Sequence, residues 1–143
     1  MHAALSHFPL ALLMSSLLWD AIGFWRSETV WPAMAFWSMV LGLCAAMFTA
    51  FAGAVDYAAL PAEHRAARTA MAHLLAMLSA LTPFVIVVVI RRSPDPPSFR
   101  NQIASLLLET IGVALLSIGG WLGGHLVFHY RVGTEEAGGH NDK

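Results

Sequence analysis

Apolar residues fill four long blocks of this chain, separated by short polar stretches. A helix rises about 1.5 Å per residue and the hydrocarbon core of a bilayer is about 30 Å thick, so a membrane span needs about 20 mostly apolar residues. Four segments reach that length: residues 4–25, 33–55, 69–90 and 102–128. The first carries Asp20 near its far end and stops at Arg26. The second follows Trp31-Pro32, where proline suits a first helical turn, and runs without a charge to Val55, just before Asp56. The third is halted by Arg91, Arg92 and the prolines at 94, 96 and 97; Pro83 in its middle predicts a kink, with the Thr82 hydroxyl placed to take a freed carbonyl. The fourth includes Glu109. No Lys or Arg precedes the first block and no small-residue cleavage pattern precedes Arg26, so it reads as a retained span and not as a secretory signal.

Short connections make consecutive helices antiparallel neighbours. The expected fold is therefore all-α, an integral membrane up-down four-helix bundle over residues 1–132, followed by a polar, glycine-rich tail at 133–143 that reads as disordered.

Composition agrees with that reading and narrows it. Of 143 residues, 57% are hydrophobic and only 12% charged, with a mean hydropathy of +0.63, which does not describe a soluble domain. Eight Lys and Arg against nine Asp and Glu leave a formal charge of -1, so neither a nucleic-acid partner nor an anionic surface is indicated. The single cysteine, Cys44, sits in an uncharged apolar run and reads as a small buried side chain. Trp25 and Trp31 read as interfacial anchors.

The antiparallel order has a consequence for chemistry. The start of helix 1, the end of helix 2, the start of helix 3 and the end of helix 4 share one membrane face. That face receives His7, His64, His73, His125 and His129, together with Asp56, and the opposite face receives no histidine. Four cationic residues stand on each side, but three arginines crowd one short loop on the histidine-free side. The positive-inside rule then puts that side in the cytoplasm, with the histidine face and both termini periplasmic.

Histidines at helix ends often only contact headgroups, yet three helices supply these. His7 and His73 lie deepest and are the candidate axial ligands of one b-type haem; Asp56, His125 and His129 are supporting or alternative ligands. The run Gly119-Gly120-Trp121-Leu122-Gly123-Gly124 offers two small-xxx-small pairs, Gly119/Gly123 and Gly120/Gly124, for close packing of a helix or, at Gly120 and Gly124, a flat macrocycle. His125 and His129, four apart on one helical face, also suit a divalent metal if His64 or Asp56 completes the set. Asp20 and Glu109 lie one to two turns inside from the histidine-free face. They read as partners of Arg26, Arg92 or Arg100, or as a proton-handling or quinone-contact pair. A phosphate-binding loop, a nucleophile elbow and a CxxC pair are all missing, so a non-catalytic subunit is expected over a stand-alone enzyme.

Ser6-His7-Phe8-Pro9-Leu10-Ala11-Leu12, Gly53-Ala54-Val55-Asp56-Tyr57, His73 and Gly119 to Gly124 together resemble a bacterial family of four-helix membrane proteins catalogued as a domain of unknown function. The resemblance covers nearly the whole chain. It implies a small protein of the bacterial inner membrane, with some relatives joined to or encoded beside Rieske-type iron–sulfur and cytochrome proteins. The shared positions it implies are His7, Asp56 and His73; the family's pattern has a glutamate where this chain has His125, and the later histidine is displaced by one. The expected function is a cytochrome b-like electron-transfer or redox-accessory subunit, with lipid, quinone and a periplasmic redox protein or larger respiratory complex as partners. A divalent-metal binding or transport protein and a cofactor-free structural subunit are the alternatives.

Overall fold

The computed structural model describes residues 6–26, 28–58 and 65–130. Four helices account for nearly all of them: α1, His7–Trp25; α2, Val30–Ala58; α3, Ala67–Arg91; and α4, Phe99–Phe128. All four are long and apolar enough to cross a membrane. The 19 residues of α1 span about 28 Å and the 30 of α4 about 45 Å at 1.5 Å per residue. α2, α3 and α4 overrun their apolar blocks because hydropathy marks only the part that sits in hydrocarbon, while helical geometry continues until a residue ends it. Arg92 ends α3 in the left-handed region at φ 58°, its amide donating to the Val88 carbonyl at 2.9 Å. Ser98 opens α4, its hydroxyl accepting from the Asn101 amide at 3.4 Å. Pro32 falls in the first turn of α2, where no hydrogen bond is lost.

Pro83 lies inside α3, which continues through it. The Thr82 hydroxyl donates to Leu78 at 3.2 Å, one residue short of the Ser79 carbonyl that the proline leaves without its usual donor.

The helices pack as two hairpins. α1 lies against α2 and α3 against α4; α2 with α3 and α1 with α4 close the ring, leaving α1 and α3 on one diagonal. Glycines set the approach. A side chain at Gly42 would collide with Leu13, and one at Gly112 with the Phe84 ring. A buried layer of Leu13, Ala35, Met39, Ala80, Phe84, Val87 and Leu116 fills the middle.

The exterior is as apolar as the interior. Phe48, Phe51, Trp121 and Phe128 are exposed, and facing lipid costs them nothing. Among the described residues the buried polar set, by contrast, is Ser16, Asp20, Thr49, Arg91, Ser105 and Glu109. Polarity rather than hydrophobicity thus distinguishes the inside of this bundle.

Candidate functional site

Five of those six buried polar groups gather near the histidine-free end. They get there by continuing the inward stripes of their helices. The buried positions include Ala80, Phe84, Val87 and Arg91 on α3, Pro9, Leu13, Ser16 and Asp20 on α1, and Ser105, Glu109, Gly112, Leu116 and Gly119 on α4. Spacings of three and four place each set on one helical face. Arg91 is the last inward position before Arg92 breaks the helix, so its side chain turns into the bundle.

There the guanidinium meets Asp20. Arg91 Nη1 donates to Asp20 Oδ2 at 2.7 Å, and Nη2 donates to the Pro32 carbonyl at 2.7 Å. The Arg91 side chain is fully buried and that of Asp20 is 2% exposed. The Phe36 ring stands 6.0 Å from the guanidinium carbon. Short charge-assisted bonds of this kind offset the desolvation of two ions; either ion alone in this place would be costly.

Glu109 completes the cluster. It is wholly buried and lies close enough to Asp20 for the two carboxyls to interact. Ser16 Oγ stands 3.3 Å from Glu109 Oε2 and 2.8 Å from the Leu13 carbonyl. A hydroxyl has one proton to give. That one proton is shared between the two acceptors, with the Leu13 carbonyl the nearer. One guanidinium thus faces two carboxyls. Glu109 Oε1, Ser105 Oγ and Arg91 Nε have no hydrogen-bond partner among the described residues.

The arginine that pairs with Asp20 is therefore not one of the three named from sequence. Arg26 makes a 3.8 Å contact with Glu28, Arg92 donates to the Val89 carbonyl, and Arg100 is exposed. Arg91, read from sequence only as a helix stop, is the partner. Its position on the 80/84/87/91 stripe is the signal that identifies it, as the 9/13/16/20 stripe identifies Ser16.

At the other end the histidines are spread. His7 is exposed in the first turn of α1, and Asp56 is exposed near the end of α2. His73 is half-buried, with Nδ1 2.8 Å from the Gly119 carbonyl. A Cβ at Gly123 would lie 2.9 Å from its Cε1, and one at Gly119 would meet Met77. The Gly119/Gly123 pair is thus used for helix packing against α3. Gly120 faces open space and Gly124 meets only Phe128. His125 and His129 stack at 4.6 Å between ring centroids, Trp121 continues the stack at 5.9 Å, and Tyr130 meets both imidazoles edge-on. His64 lies outside the described residues. Among the described residues no group of three His, Cys, Asp or Glu side chains is placed to hold a metal ion.

A four-helix bundle of membrane-spanning length, lipid-facing outside and ionic within, defines a small multi-pass integral membrane protein. The chain belongs to the family described as predicted membrane protein DUF2231, whose pattern matches residues 1–136. No curated protein and no solved structure shows a significant match.

Proposed function

We propose that this protein is a membrane subunit that holds an exchangeable proton on the Asp20–Glu109 carboxyl pair, in the redox-accessory setting that the family resemblance implies. One observation carries the proposal: a single buried guanidinium is set against two buried carboxyls, those of Asp20 and Glu109. Within a membrane an ionisable residue marks a functional site by default, because its cost is otherwise avoidable. Arg91 pairs with the Asp20 carboxylate, so the cluster as a whole is neutral while Glu109 holds a proton. When the proton leaves, the cluster carries one net negative charge, which the guanidinium partly offsets. The chemistry available is therefore proton binding coupled to a charge change inside the bilayer. Infrared spectroscopy of the reconstituted protein tests it. A protonated-carboxyl carbonyl band that shifts in D2O and is lost in Glu109→Gln supports the reading; wild type without such a band rejects it.

A second reading is electron transfer through haem b, favoured by a shallow depression on α4 lined by Trp121, Gly124, His125 and Phe128, where an imidazole adjoins an apolar floor. An iron porphyrin there would supply one-electron transfer, with His125 as its ligand. The interior His7/His73 placement fits less well, since the two histidines stand on diagonal helices and His73 itself fills the face over Gly123. Reduced-minus-oxidised visible spectra of protein expressed with ample haem decide it: haem bands lost in His125→Ala support this reading, and colourless protein rejects it.

A further inference from the structure

The carboxyl pair is not placed symmetrically between the two ends of the bundle. On its histidine-free side the groups without partners, Ser105 Oγ and Arg91 Nε, lie nearer the helix ends than Glu109: Ser105 is one turn earlier on α4, and Arg91 is the final residue of α3. Buried polar atoms left without protein partners are places for internal water, which needs two to four such groups. Pro32, whose carbonyl accepts from Arg91, opens α2 at the same level. A polar trail thus leads from Glu109 toward the α1–α2 and α3–α4 connections.

In the other direction the bundle is dry. Leu13, Met39, Phe84 and Leu116, one from each helix, form a layer with at most 2% exposure, and Gly112 lets the Phe84 ring close over α4. The next layer holds Ala80 and Met77. The nearest buried polar side chain beyond is Thr49 on α2, whose hydroxyl donates to Ala45 at 3.0 Å. Among the described residues, a proton crossing this stretch would meet no fully buried hydrogen-bonding side chain over about two helical turns.

We infer that the Asp20–Glu109 pair exchanges its proton with the histidine-free side of the membrane alone, and that the Leu13–Met39–Phe84–Leu116 layer seals it from the histidine side. This rests on the proton-holding reading above. The protein is then a one-sided proton store and not a conduit. A proton arrives from water on one side, binds a carboxylate oxygen, neutralises the cluster, and returns by the same route. The ionisable groups facing the pair are Asp20 from α1, Arg91 from α3 and Glu109 itself from α4; α2 contributes the Pro32 carbonyl and no charge.

The test tethers the full chain in a supported bilayer in two orientations. In one it is held through its C-terminus, which follows the histidine end of α4. In the other it is held through an affinity tag inserted at Asp95, in the exposed α3–α4 connection. Each preparation receives a pH step in the bulk, and the Glu109 carbonyl band is followed by infrared reflection. The band is expected to respond in the C-terminally held protein and to lose its response in the other. Leu13→Asn or Leu116→Asn, on different helices, should restore the lost response. Equal responses in both orientations overturn the one-sided inference while leaving the proton site standing. Absence of the band from wild type in both orientations overturns the proton site itself, and this inference with it.

Discussion

The two ends of the bundle carry the same kind of raw material, ionisable side chains on several helices, and use it in opposite ways. At the histidine-free end, Asp20, Arg91 and Glu109 continue buried stripes and converge, with bonds of 2.7 Å from the guanidinium. At the histidine end, His7, Asp56 and His129 are exposed, and among the described histidines His73 is the one tied between helices. Number of ionisable groups is therefore a poor guide to a site, and phase on the helix a good one. A charge in register with the core positions has no exit to water and must find a partner, whereas one out of register solvates itself at the headgroups.

That contrast breaks most readily at Arg91. Arg91→Ala leaves Asp20 buried without its cation and should cost about 3–5 kcal/mol, read as loss of folded protein in detergent by thermal or denaturant unfolding. The double variant Asp20→Asn, Arg91→Met removes both charges and should recover most of the loss; if it is as unstable as Arg91→Ala, the pair's charges are not what matters. Second comes Gly112→Leu, which drives a side chain into the Phe84 ring and should cost about 1–3 kcal/mol by the same measurement. His73→Ala is next. It removes the bond to the Gly119 carbonyl and should cost about 1 kcal/mol, with the α3–α4 contact loosened and cross-linking across it reduced. Smallest is His129→Ala, an exposed side chain, within about 0.5 kcal/mol of wild type. A His129→Ala effect as large as that of Arg91→Ala would erase the difference between the ends.

Much of the fold is legible in the sequence. Four apolar blocks give four spans and the antiparallel order sends the histidines to one end, because both follow from length and alternation alone. Helix limits are less legible: α2 begins at Val30 and ends at Ala58, beyond the block at 33–55, since small and apolar residues keep a helix going outside the hydrocarbon. The choice between glycine pairs is invisible in one dimension. Gly119/Gly123 and Gly120/Gly124 read alike, and only the phase of α4 against His73 and Met77 selects the first pair. Arg91 is hidden for a related reason. Beside Arg92 and a proline cluster it resembles a helix stop, and its inward aim emerges only when Ala80, Phe84 and Val87 are known to be buried. Asp20 and Glu109 were visible as neighbours in depth; the residue that joins them was not.

The bond between Asp20 and Arg91 links residues 71 positions apart, one in each hairpin. During synthesis α1 and α2 emerge well before α3 is complete, so Asp20 enters the bilayer with its counter-ion still unmade. An unpaired Asp costs about 2.5–3.5 kcal/mol at the centre of a span and less at the depth of Asp20, near the end of its helix. The first hairpin is therefore provisional until the second arrives, and a chain truncated within α3 before Arg91 would leave that carboxylate stranded without its cation.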